Sequence, residues 1–128
     1  MNFSKKVTKN NYVREYIKVM NGLLDLTPRE IDILTTLIKI DLAWIPRNPS
    51  EIKNLLSTDN RRITMKENNM NKSNFAKIIG KLQSMGLLIA SQEGGMIINE
   101  LLKPILNKNN KVEVAFTLDL NDAIQQAV

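Results

Sequence analysis

The sequence predicts an α+β domain, a helical core followed by a β-hairpin and one further short strand, and three observations carry that prediction. Apolar residues recur at helical spacing as far as Met85. A glycine then ends the last helix, and two short apolar runs flank Glu93-Gly94-Gly95. Val112, Val114, Phe116 and Leu118 alternate with Glu113, Ala115, Thr117 and Asp119. A chain of 128 residues has room for one core, and at that size burying about 60–70% of the unfolded surface suffices without disulfides or metals. Leucine and isoleucine carry most of the apolar content. The aromatic residues are few (Phe3, Tyr12, Tyr16, Trp44, Phe75 and Phe116), which suits helices on a short sheet better than a large sandwich.

Residues 1–11 are polar and rich in Lys and Asn, so they read as a basic N-terminal arm that is ordered only where something holds it. From Tyr12 the pattern changes. Tyr12, Tyr16, Val19, Met20 and Leu23 fall at helical spacing and predict a helix over 12–23, loosened at its end by Gly22 and Asp25. Leu26-Thr27-Pro28-Arg29-Glu30 is the clearest helix start: Thr27 can cap, Pro28 occupies the first helical position, and Glu30 closes a capping box. That helix should run to about Asp41. Ile31, Leu34, Leu37, Ile38 and Asp41 lie on or beside one face, and Ile33 and Ile40 widen the stripe, so this is the central helix.

Trp44-Ile45-Pro46-Arg47-Asn48-Pro49 breaks the pattern, because each proline disfavours helical backbone in the residue before it. A short helix is expected over 50–57 through Ile52, Leu55 and Leu56. Ser57-Thr58-Asp59 offers caps for another over 59–68, and Asn68-Asn69-Met70-Asn71 is a polar turn. Asn71 to Asn74 then cap a helix over 72–85 whose apolar positions Phe75, Ile78, Ile79, Leu82 and Met85 share one face, ending at Gly86. Leu87 to Ala90 and Met96 to Asn99 read as the two strands of a hairpin. Leu101-Leu102-Lys103-Pro104 leaves it, and Val112, Val114, Phe116 and Leu118 mark a half-buried strand. The body so defined covers 12–120, with a C-terminal tail over 121–128.

Composition removes most enzyme chemistry. Neither cysteine nor histidine is present, so thiolate nucleophiles, imidazole bases, disulfides and zinc sites of the usual type are excluded. No paired carboxylates, activated serine or phosphate-binding glycine loop emerges, and no cofactor is expected. Asp25, Glu30 and Asp32 sit near a helix start, where carboxylates favour the helix dipole. Gly94-Gly95 lacks the spacing and following helix of a phosphate cradle and reads as a turn. Trp44 either anchors a partner or folds back over the helix stripe. No secretory leader and no membrane-spanning run is read, so the expected setting is a cytoplasm or an assembled particle.

The formal charge is +5, and much of the excess lies near the N-terminus, where Lys5, Lys6, Lys9, Arg14 and Lys18 face only Glu15. Such an arm attracts phosphate-rich partners or simply solubilises the chain. The element order, helix, helix, helix–turn–helix and hairpin, is the plan of a winged helix-turn-helix domain, with 72–85 as recognition helix and 87–99 as wing. On that plan Lys72, Ser73, Asn74, Lys77 and Lys81 face a major groove, while Arg61 and Arg62 grip phosphates. Two features oppose DNA contact. The wing tip Ser91-Gln92-Glu93-Gly94-Gly95-Met96 carries a carboxylate and no cation, and the recognition helix has no arginine.

The run YIKVMNGLLDLTPREIDILTTLIKI, followed by NKSNFAKIIGKLQSMGLLI and INELLKPILNKNNKVEVAFTLDL, resembles small winged-helix proteins of tailed bacteriophages with AT-rich genomes, over about residues 16–120. The resemblance implies a non-catalytic virion component of the portal or head–tail connector region. Its partners would be other phage structural proteins and copies of itself, and it would occupy the virion and, during assembly, the host cytoplasm. On this reading the arm (Lys5, Lys6, Lys9) and the C-terminal strand reach neighbouring subunits. The alternative is a sequence-specific binder of double-stranded DNA that regulates transcription or replication as a dimer reading two half-sites. The acidic wing and the phage resemblance favour assembly; the net charge, the arm and the helix–turn–helix favour DNA.

Overall fold

The computed structural model describes residues 2–5, 11–103 and 112–115. In chain order these form β1 (Asn2–Lys5), α1 (Tyr12–Leu24), α2 (Pro28–Ala43), α3 (Thr58–Glu67), α4 (Lys72–Ser84), β2 (Leu88–Ala90), β3 (Met96–Ile98), a 3-10 turn (Glu100–Leu102) and β4 (Val112–Ala115). The protein is α+β, four helices and a small antiparallel hairpin, a layout compatible with the winged-helix plan. Among the described residues no helix is long and apolar enough to cross a membrane.

The α1 helix forms as its spacing predicts, but its inner face is turned by about one residue. Val13 and Ile17 are buried, with Tyr12, Tyr16 and Leu24 packed beside them, whereas Leu23 is 64% exposed. The predicted set of Tyr12, Tyr16, Val19, Met20 and Leu23 shares two aromatics with the real stripe, and an ion pair between Arg14 and Asp32 of α2 helps fix the rotation. Asp25 ends the helix in the left-handed region at φ 55°. The Asn21 side chain then clamps the chain at Leu26, accepting from its N–H at 2.7 Å and donating to its carbonyl at 3.1 Å.

The start of α2 is the predicted capping box. Glu30 N donates to Thr27 Oγ1 at 3.3 Å and Thr27 N donates to Glu30 Oε1 at 2.9 Å, which satisfies two otherwise orphan donors. The helix continues past Asp41 to Ala43. Ile31, Ile33, Leu34, Leu37 and Ile38 are buried around it, and α1, α3, α4 and β3 all pack against it. It is the axis of the core, which Leu55, Phe75, Ile79, Leu82, Leu88, Ile98 and Leu102 complete.

The helix expected over 50–57 does not form. Its apolar spacing is helical but covers only three residues, and non-local bonds override it. Leu55 N donates to Met96 O at 2.9 Å, Met96 N donates to Asn54 Oδ1 at 3.1 Å, and Lys53 Nζ reaches Asp41 at 2.9 Å. The segment therefore lies along the outer side of β3.

Ser57 caps α3, accepting from Asn60 N at 3.2 Å. This helix is almost wholly polar, and Thr64 is its one buried residue. It is held largely by amides: Asn60 Nδ2 donates to Asn54 O at 2.8 Å, and Asn68 Nδ2 donates to Thr36 Oγ1 of α2 at 3.0 Å. By contrast α4 is seated by apolar contact through Phe75, Ile79 and Leu82, with Ile78 half-buried. Met85, expected on the buried face, lies just past the helix and is 37% exposed. Gly86 turns the chain at φ 74°, a conformation that favours glycine, into β2.

The hairpin pairs Leu88 with Ile98, Ile89 with Ile97 and Ala90 with Met96. Its turn is closed by Ser91 N to Gly95 O at 2.7 Å and Gly94 N to Ser91 O at 3.1 Å, so Gly94-Gly95 is a turn as predicted. The start of the arm, expected to be ordered only where something holds it, is a strand. Asn2–Lys5 pairs antiparallel with Val112–Ala115, Phe3 opposite Val114 and Lys5 opposite Val112, in a sheet separate from the hairpin. A strand with its partner near the other end of the chain has no local signal. Lys6, Lys9, the end of the strand expected to reach Leu118 and the tail over 121–128 lie outside the described residues.

Candidate nucleic-acid interface

The helices α3 and α4 are joined by a short turn in which Asn69 adopts φ 47°. Asn71 then caps α4, its Oδ1 accepting from Asn74 N at 2.8 Å. Because Phe75, Ile79 and Leu82 face the core, helical geometry turns Ser73, Ala76, Lys77, Gly80 and Ser84 outward, with Lys72 and Asn74 on the flanks. All of these are exposed. The outward face is small or polar throughout and carries no carboxylate, and the positive end of the helix dipole lies at its start.

The predicted cationic contact residues differ in whether they are already engaged. Lys72 and Lys77 make no ion pair or hydrogen bond with another described residue, so their ammonium groups are available. Arg61 and Lys81 are already engaged. Arg61 Nε donates to the Leu56 carbonyl at 2.6 Å, which ties that side chain to the start of α3. Lys81, expected among the groove-facing residues, donates from Nζ to Glu30 Oε1 at 2.7 Å, with its side chain 40% exposed. Arg62 stands 3.9 Å from Asp59, with both side chains largely exposed, a contact of little energy.

Residues 58–84 hold six basic side chains (Arg61, Arg62, Lys66, Lys72, Lys77, Lys81) and two acidic ones (Asp59, Glu67). That excess equals the one in residues 1–18, where Arg14 pairs with Asp32 and Lys18 lies 3.6 Å from Glu15. Among the described side chains, Lys66, Lys72 and Lys77 of α3 and α4 are exposed cations without an ion pair, as is Lys39 of α2. The hairpin tip is opposite in character, with Glu93 exposed.

Two acidic residues that the sequence places only in the core stripe or a cap position the elements around this face. Asp41 is 2% exposed and accepts from Lys103 Nζ at 2.7 Å, Lys53 Nζ at 2.9 Å and Ile98 N at 3.1 Å. It thereby joins α2, the segment before α3, the hairpin and the turn after it. Burial pushes its carboxyl up, but the Lys103 and Lys53 ammonium groups and the Ile98 N–H outweigh that and hold it below the ordinary aspartate range. Lys103, in turn, is pushed down by burial but raised overall by its bonds to Asp41 and Glu100. Glu30 follows the Asp41 pattern: burial raises it, and Lys81 and the Thr27 N–H bring it below its usual value. The signal for Asp41 was a carboxylate on an apolar helix face, which requires partners.

Trp44 is half-buried, with Lys53 Nζ 5.4 Å from the ring centroid, so its ring faces a cation of its own chain. Among the described residues no cluster of acidic side chains could hold a metal ion. No family model matches the chain, and no curated protein or solved structure matches it either.

Proposed function

We propose that this chain is a non-catalytic winged-helix domain that binds double-stranded DNA, with α4 in the major groove and α3 against the phosphates. The observation that carries the reading is the unpaired state of Lys72 and Lys77 on a solvent-facing, carboxylate-free helix. Unpaired cations on a helix that fits a groove supply both the sequence-independent attraction and the means to meet base edges. On this reading Asn74 would meet adenine and Arg62 a phosphate, while Arg61 would reach one only with the part of its guanidinium not bonded to the Leu56 carbonyl. The absence of large apolar side chains from the outward face allows close approach. The test is retention of duplex DNA by the triple variant Lys72→Ala, Asn74→Ala, Lys77→Ala, which should lose specific binding while keeping its circular dichroism. Binding at the wild-type level would overturn the assigned helix.

A second reading, assembly into a phage virion, is favoured by the exposed Glu93 at the hairpin tip and by the two-stranded β1–β4 sheet, whose outer edges pair with no other described strand. A carboxylate at the wing tip repels phosphate but suits a protein neighbour, and an open strand edge is a ready template for another chain. A mass-spectrometric inventory of nuclease-treated particles decides it. Stoichiometric peptides at a fixed multiple of the portal copy number support assembly, and absence from particles removes it.

A further inference from the structure

The geometry points to Glu30 as a latch that withholds Lys81 from the nucleic-acid face, setting the affinity of α4 below what its lysines allow; this rests on the DNA-binding reading above. Lys81 follows Asn74 and Lys77 at helical spacing, so the three line one flank of α4. Lys77 carries no partner within the described residues, whereas Lys81 is drawn to the N-terminus of α2, 51 residues away, by a 2.7 Å bond to Glu30 Oε1. The same oxygen accepts from Thr27 N at 2.9 Å, so the helix cap fixes the carboxylate in place. The Glu30 side chain is 12% exposed and that of Lys81 is 40% exposed. The acceptor is thus rigid and largely shielded, while the ammonium is close enough to solvent to swing outward if released. A charge-assisted bond to a fixed carboxylate holds the lysine more firmly than an exposed ion pair does.

Glu30→Gln keeps an oxygen for the Thr27 N–H and removes the charge that holds Lys81, so it separates the latch from the cap. The probe is a fluorescently labelled, mixed-sequence DNA duplex two helical turns long, titrated by anisotropy across a salt series. The expected result is tighter binding at low salt and a salt slope steeper by about 0.9, the value of one added phosphate contact. That gain must require Lys81: in a Lys81→Gln background, Glu30→Gln should change nothing. A gain of equal size in that background would mean simple loss of negative charge and would overturn the latch, as would a folded Glu30→Gln protein with the wild-type slope.

A comparison of Lys81→Gln with Lys77→Gln tests the idea without touching the cap. Lys77→Gln should flatten the slope by about 0.9 and Lys81→Gln should leave it nearly unchanged. Equal flattening would show that Lys81 already contacts DNA and that no latch exists. Failure of the wild-type protein to bind the duplex at all removes the DNA reading and the latch with it. Wild-type binding with no effect of Glu30→Gln removes the latch alone.

Discussion

Two regions of this protein treat charge in opposite ways. At the corner where α2 meets the hairpin, Asp41 is enclosed and bonded to two lysines and a backbone N–H, and the chain around it approaches within close contact. On the outward face of α4, Lys72 and Lys77 stand without partners in the described structure, and Gly80 has open space where a side chain would be. The first region satisfies its polar groups internally and so fixes where the hairpin sits. The second leaves them unsatisfied on a helix whose own position is secured from behind by Phe75, Ile79 and Leu82. On the DNA-binding proposal, order and recognition fall to different side chains, and substitutions should separate them.

The largest effect is expected at the corner. Asp41→Ala leaves Lys53 and Lys103 confined without their carboxylate, and breaking such a site by removing one partner costs about 3–5 kcal/mol. Against a total stability of about 5–15 kcal/mol for a domain, this should be plain in a urea titration. Acid provides the same test without mutation. Because Asp41 and Glu30 are both held below their ordinary values, the folded state binds fewer protons than the unfolded one. Their contribution is complete above the unfolded carboxylate range, near about pH 4, and is lost as pH falls through the folded values. Asp41→Asn should flatten that loss, and an unchanged acid profile would break the contrast at its strong end. Lys103, raised in the folded state, stabilises below its unfolded value and loses that contribution as alkaline pH passes the folded one.

Gly95→Ala comes next. A Cβ there would lie 1.9 Å from the Lys53 carbonyl oxygen and 2.9 Å from its carbon, both backbone atoms, so the hairpin and the 53–55 segment would have to part. The cost expected for such crowding is about 3 kcal/mol, read as a lowered Tm.

How much of this was legible beforehand follows from the range of the determining contacts. The capping box at Thr27 and Glu30, the apolar stripe of α4 and the Gly86 stop are local, and each is where the spacing places it. The failed helix over 50–57 and the strand at Asn2–Lys5 depend on partners far along the chain, Met96 and Asp41 for one and Val112–Ala115 for the other. The candidate site divides the same way. Lys72 and Lys77 are exposed as helical phase requires, but the capture of Lys81 by Glu30 across two helices has no counterpart in local spacing.

Gly80→Ala sharpens the comparison because its sign should be opposite to that of Gly95→Ala. A Cβ at Gly80 meets no atom within 4 Å, and glycine inside a helix is less stable than alanine by about 0.5–1 kcal/mol. The variant should therefore melt at a higher temperature. If α4 lies in a groove with Gly80 toward it, the same methyl group should weaken DNA binding, and a gain in stability without that loss would move the contact toward the start of the helix.

The smallest stability effect belongs to Lys77→Gln, and its smallness is the point. The side chain is exposed and makes no ion pair or hydrogen bond with the described residues, so its replacement should change unfolding free energy by no more than about 0.5 kcal/mol. Duplex binding, in contrast, should fall and lose salt dependence. A large drop in stability would mean that Lys77 has an internal partner and that α4 does not present free charge. A neutral melting curve with weakened binding is the combination that a recognition face alone produces, since a residue important only for folding cannot lose binding while leaving the melt untouched.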